Sequence, residues 1–395
     1  DQIFDLFNSG RYVELEARTR VLVEEFPEAG LVWKALGASI QMQGREEEAL
    51  PALQRAVDLL PDDAPAQCNL GRALRHTGQL DAAMAHFRRA VEIKPDFADA
   101  HNNLGNVFED LGQLQDALAS YRLAVQIKPG SAVAQNNLGA TLQKLGLSAE
   151  AAARFRQALA INPDFAEAHS NLGGALLDLG QLADAEASYR RAIEIKPDFV
   201  PAHNRLGVTL RRLRQPEAAA ASHRRALEID PDHASAHNNL GIALQDLGQF
   251  DAAMACYRRA LEIDPNFASA HINRGCVLED LWRLDDAVAS FRRALEIDPD
   301  STAVRSSLLS LQHYIAGNSA ASLLAEARQF GDLVARQARP RTEWNNLPDG
   351  ERCLRVGLVS PDLQNHPVGH FLDGILAAMA SSSAGRLEII AYTTN

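Results

Sequence analysis

His366 is the residue of this sequence best placed to do chemistry. It stands in a polar, loop-like run, P-D-L-Q-N-H-P (361–367), with His370 four residues on. A free imidazole titrates near ~6.5, so a loop histidine can serve as general acid or base at neutral pH. The plainer alternative is a histidine that only fixes the loop. No dinucleotide-binding, P-loop, H-E-x-x-H or G-x-S-x-G pattern occurs in the chain. Cys68, Cys256, Cys276 and Cys353 show no C-x-x-C spacing, so they suggest buried hydrophobes in a reducing, cytoplasmic compartment. No metal site is expected.

A second polar pattern points to binding. Asn69, Asn103, Asn137, Asn171, Asn239 and Asn273 each stand two residues before a recurring glycine; Ala35 and Arg205 are the exceptions. Asn is a poor helix former and needs a reason to recur inside helices. Its carboxamide offers a donor and an acceptor, so a row of them can hold the N–H and C=O groups of an extended segment. Equally, the row can satisfy hydrogen bonds between helices of the fold itself. Asp110, Asp178, Asp246 and Asp280 follow seven residues later, two helical turns on. They either select basic or polar side chains or are simply solvated. His101, His169, His203, His237 and His271 also recur. Stacked helices lie ~8–10 Å apart, too far for these histidines to share one ion, so they are expected to pack.

The elements that carry these residues repeat. Pro27, Pro61, Pro95, Pro129, Pro163, Pro197, Pro231, Pro265 and Pro299 recur every 34 residues, and Gly37 to Gly275 keep the same beat. In the unit 98–131, Gly105 lets a partner helix approach and Gly112 permits a turn. Tyr121 and Ala124 face inward, and Pro129 stops the second helix. One helical hairpin cannot bury its apolar face alone, so neighbours must stack. Eight full units fit between 30 and 301, after a partial unit at 1–29. This period, with Leu-Gly early, Ala and Phe/Tyr in the middle and Pro last, is that of the tetratricopeptide repeat. The expected fold is mainly α, a right-handed superhelix. The sixth unit, 200–233, is irregular: Arg214 replaces the turn glycine, Pro216 opens the second helix and His223 replaces the aromatic. Arg205, Arg211, Arg212 and Arg214 make it basic. Drift on a solvated face, a local bend and contact with an acidic ligand all fit.

The whole chain has 395 residues and a formal charge of −12, which disfavours nucleic acid as a partner. No apolar run approaches the ~20 residues of a membrane span. Oligomeric state is not legible. Beyond 301 the register dissolves into capping or junction helices (302–338) and a polar linker (339–353). Then come strand-like runs at 354–360 and 387–393 with a helix-like run, 368–381, between them. Strand, helix, strand is the start of a parallel α/β sheet, and His366 would lie beyond the carboxyl end of its first strand, where such sheets bind ligands. The chain starts at Asp1 and ends soon after the second strand, so it is expected to be a fragment.

The run L-R-V-G-L-V-S-P-D-L-Q-N-H-P-V-G-H-F-L (354–372) resembles the opening of the O-GlcNAc transferase catalytic region, bacterial type. S-S-L-L-S-L-Q-H-Y (306–314) and L-L-A-E-A-R (323–328) resemble the helical junction of that family. The resemblance implies a Rossmann-like glycosyltransferase N-lobe starting at 354–395. GlcNAc would pass from UDP-GlcNAc to Ser or Thr of acceptor proteins lying extended along the repeats, with no cofactor besides this donor. It makes His366 the active-site histidine and the asparagine row the acceptor-peptide ladder. Leu363 stands where the family usually has Phe. The donor-binding C-lobe would be missing, leaving no cofactor-binding residue here and an inactive fragment. A related GDP-fucose-dependent O-fucosyltransferase shares the layout. A non-catalytic scaffold for protein–protein interaction is the contrasting reading.

Overall fold

The computed structural model describes residues 2–312, 314–315 and 320–337, and the backbone of 354–359 and 387–392. Two compact units divide the chain, Asp1–Gly331 and Asp332–Asn395.

The first unit is a tetratricopeptide superhelix of paired helices. Repeats are numbered 1 to 8 from residue 30, and positions within each are counted from its first residue. In repeat 3 the first helix is Ala98–Asp110 and the second Leu114–Ile127. Between them Gly112 takes φ +72°, a left-handed turn that glycine adopts without steric cost. Lys128 closes the second helix by donating to the Ala124 carbonyl, and Pro129, with no N–H, cannot continue it.

Position eight is glycine in every repeat because the second helix sits on it. A Cβ on Gly105 would lie 2.6 Å from the Tyr121 ring, and one on Gly139 would lie 2.7 Å from Phe155. The aromatic is fully buried in return: Phe87, Tyr121, Phe155, Tyr189, Tyr257 and Phe291 form the largest core side chains, with small partners such as Ala90, Ala124 and Ala192. Ahead of repeat 1, Gln2–Asn8 and Tyr12–Glu25 flank Gly10 at φ +71°. After repeat 8 come Thr302–Gln312 and Ala320–Gln337. No described helix is long and apolar enough to cross a membrane.

In the second unit, β1 (Leu354–Val359) pairs in parallel with β2 (Leu387–Tyr392), Leu354 opposite Leu387. Parallel neighbours need a crossover of a dozen or more residues, and 360–386 provide the length. The expected loop with His366, the helix at 368–381 and the linker at 339–353 lie outside the described residues, apart from the strands themselves.

Candidate functional site

The asparagine row lies on the first helices at position six, and all six members are half-buried. Five of them use their amide N–H groups inside the fold. Asn137 donates to Asn102 Oδ1 at 3.1 Å, Asn171 to Asn136 at 3.0 Å, Asn239 to Asn204 at 3.1 Å and Asn273 to Asn238 at 2.9 Å. Asn103 donates to Cys68 Sγ at 3.3 Å; burial pushes that thiol up to about 11, so it stays a neutral acceptor. Each bond runs from position six of one repeat to position five of the repeat before. Asn69 would face Lys34 there, which has no acceptor to offer and pairs instead with Asp63.

The carbonyl half of the row is less committed. Asn103 Oδ1 accepts from Asn106 and Asn239 Oδ1 from Asn238, both at 3.4 Å. Among the described residues the side-chain oxygens of Asn69, Asn137, Asn171 and Asn273 accept nothing. Hollows open on this face: one is lined by Cys68, Asn69, Arg72, Asp99 and Asn103, the next by Arg72, Arg75, His76, Asn103 and Asp110. The row therefore has its donors turned to the neighbouring repeat and a set of acceptors left over. Sequence reasoning took the asparagines as a row and left inter-helix bonding open; the signal for the partners was the doublets Asn102-Asn103, Asn136-Asn137 and Asn238-Asn239.

The aspartates at position thirteen form a second seam, parallel to the first. Asp110 accepts from Arg75 at 2.6 Å, Asp178 from Gln143 at 2.7 Å and Asp246 from Arg211 at 3.4 Å. With the signs exchanged, Lys144 pairs with Glu109 at 2.6 Å. Each link joins position twelve of one repeat to position thirteen of the next. Three of the four aspartates are thus partnered rather than simply solvated.

The recurrent histidines have a structural task. Nε2 of His101, His169, His203, His237 and His271 donates to the carbonyl of the proline six residues earlier, at 2.9 to 3.1 Å. Where the histidine is absent, another donor takes the same place: Trp33 on Pro27, Gln67 on Pro61, Gln135 on Pro129 and Arg305 on Pro299. All nine register prolines therefore have their loop carbonyl satisfied from position four of the next unit. Since a carbonyl only accepts, each of these imidazoles carries its proton on Nε2.

Repeat 6 bends the rules locally. Arg214 adopts φ +62° in the place of the turn glycine, and Pro216 opens its helix without loss. His223, 1% exposed, packs on Gly207 and donates from Nδ1 to Asn204 Oδ1 at 2.9 Å. Burial, aided by Arg211, lowers its pKa to about 4, so it is neutral. A residue missed in the sequence is Trp282, which takes φ +56° at the same turn position of repeat 8. It is 76% exposed and meets Tyr314 edge-on, ring centroids 6.4 Å apart. The signal was available, because the comb of turn glycines skips 282 as it skips 214.

Residues 71–112 and 215–248 match the family described as TPR repeat; 96–164, 136–198, 234–267 and 268–301 match families described as tetratricopeptide repeat. Among curated proteins none matches significantly. The chain resembles a solved APC/C hetero-tetramer, Cut9-Hcn1, at 18% identity and TM-score 0.58, covering 70% of this chain and 54% of that one. It thus spans about half of that relative's length. Other similar structures are YrrB, titled a TPR protein with an unusual peptide-binding site (25% identity, TM-score 0.40, 47% of this chain and 95% of that), and Pseudomonas aeruginosa pilF (20%, 0.48, 55% and 97%).

Proposed function

The chain belongs to the tetratricopeptide-repeat family, and from that premise we propose that its first-helix face holds extended segments of acceptor proteins for O-glycosylation. One observation carries the binding half: a row of asparagine carbonyl oxygens, at Asn69, Asn137, Asn171 and Asn273, without partners among the described residues. Such a row suits the N–H groups of an extended backbone, which recur with a fixed spacing whatever the sequence. The grip runs mainly through acceptors, because five of the six amides already give an N–H to the neighbouring repeat.

The catalytic half rests on the N-H-P-V-G-H run at 365–370 and on the two parallel strands that flank it in sequence. In this proposal the protein moves GlcNAc from UDP-GlcNAc to Ser or Thr, with His366 acting at the reaction centre. Transfer of fucose from GDP-fucose is the neighbouring variant. A scaffold without catalysis is the second reading, favoured by the inter-repeat use of the amides. The test is sugar transfer by the natural full-length protein, offered radiolabelled UDP-GlcNAc and GDP-fucose in turn with a lysate of acceptor proteins. The expected result is base-labile label on protein from UDP-GlcNAc, reduced ~10²–10⁴-fold by His366→Ala. Label from neither donor would leave the scaffold reading in place.

A further inference from the structure

A hollow of about 360 Å³ opens between the first helices of repeats 2 and 3, and Pro65, Cys68, Asn69, Arg72, Phe97 and Asp99 line it. Its accessible polar groups are uncommitted. Asn69, alone in the row, gives no N–H to a neighbouring repeat, and its carbonyl accepts nothing among the described residues. Arg72 and Asp99 are exposed, and neither makes a hydrogen bond or an ion pair among those residues. Both nevertheless stand near enough to act on the same Cys68 thiol. Cys68 itself is 4% exposed and takes the amide of Asn103, so it lines the hollow as a neutral wall.

This arrangement of charges belongs to one junction. Arg72 is at position nine of its repeat and Asp99 at position two of the next. The same two positions hold Ala38 and Pro65 one junction earlier, Asn106 and Val133 one junction later, and Ala140 and Glu167 after that. Position nine carries no charge in any other repeat. A cation and an anion are thus set about one hollow and left unbridged.

We propose that this hollow is a subsite for one carboxamide side chain, Gln or Asn, of a segment lying extended along the first helices. The inference rests on the binding half of the function proposed above. Arg72 donates to the carboxamide oxygen, Asp99 accepts from its NH2 group, and Asn69 holds the adjoining peptide group through its own free amide. A carboxylate or an ammonium would gain one of the two charges and be repelled by the other. An aliphatic side chain would strip water from both ions and offer no hydrogen bond in return.

The test is fluorescence anisotropy on the full chain with labelled peptides of about twelve residues, long enough at ~3.3 Å per residue to cross several repeats. A single Gln is walked along a Ser/Thr/Val/Pro background and compared with Glu, Lys and Leu at each position. At one position Gln is expected to bind at least ~10-fold tighter than the other three. Asp99→Ala leaves a lone cation, so the preference at that position should pass to Glu. Arg72→Ala leaves a lone anion, and the preference should pass to Lys. Both side chains are exposed and unpartnered, so neither change should disturb the fold. A Gln preference that survives both variants, or Glu, Lys or Leu binding tightest to the unaltered chain, would overturn the subsite. Equal binding of all peptides would overturn it too but leave the groove standing, whereas no binding by any peptide would remove both.

Discussion

Two junctions of the solenoid, that between repeats 3 and 4 and that between repeats 5 and 6, share one apolar design and differ in their polar stitching. At the first, Asn137 bonds to Asn102 and Asn106, Lys144 to Glu109, and Tyr121 to Asn106. At the second, the corresponding pairs are Ser170 with Arg205 and Leu177 with Arg212, and no such bond forms. Yet Gly173 meets the Tyr189 ring as Gly105 meets that of Tyr121, and Leu172, Leu206 and Leu210 are buried alike. Stacking is therefore a property of the apolar positions. Polar links are laid over it, and where they lapse the apolar stack holds without them.

If that division is right, truncating the aromatic should hurt both junctions to within the ~1 kcal/mol that separates their hydroxyls. Tyr121→Ala and Tyr189→Ala should each cost about 3–5 kcal/mol, the usual toll of emptying an aromatic core site. Urea unfolding checks this, and a loss at Tyr189 well below that at Tyr121 would break the comparison.

The second-largest effect is acid sensitivity in repeat 6. Unfolded His223 titrates near 6.5 and the folded residue at about 4. Between those values only the unfolded chain takes up the proton, so stability falls as pH drops through the window. The integrated loss approaches about 3 kcal/mol near pH 4. In a Tm series from pH 7.5 to 4.5, His223→Phe should flatten the slope by up to one proton's worth. An unchanged slope would mean that His223 is not the titrating group.

A smaller contrast sharpens the comparison. Tyr121→Phe removes a hydroxyl bonded to Asn106 and should cost roughly 1 kcal/mol. Tyr189→Phe removes a buried hydroxyl that makes no hydrogen bond of normal geometry and interacts only loosely with the Arg205 guanidinium, so it should cost less. Equal losses in the two variants would show that Tyr189 has a partner after all.

The repeat architecture was legible because its constraints are local. A proline every 34 residues stops a helix, a glycine at position eight admits an aromatic, and neither needs knowledge of distant contacts. The polar seams were not legible one residue at a time. Asn171 reaches Asn136, thirty-five residues away, and that pairing exists only once repeats are stacked. The same holds for Asp110, which finds Arg75 in the preceding repeat. Position four was half legible: the histidines were expected to pack, but that Trp33, Gln67, Gln135 and Arg305 perform the same service followed only from the proline carbonyls. His366 lies outside the described residues, and its role stays with the proposed function.

The central claim is that the asparagine row grips extended segments as well as stitching repeats. The most direct measurement is the affinity of the Asn137→Ala/Asn171→Ala/Asn273→Ala chain for acceptor-derived extended peptides, with its Tm taken in parallel. Each lost backbone hydrogen bond is worth about 0.5–1.5 kcal/mol, so affinity should fall roughly one to three decades, and similarly for peptides of different sequence. The stitches lost inside the solenoid are offset in part by the better helix propensity of Ala, so Tm should move by only a few degrees. Undiminished peptide binding together with a large fall in Tm would contradict the claim and leave the row as stitching alone.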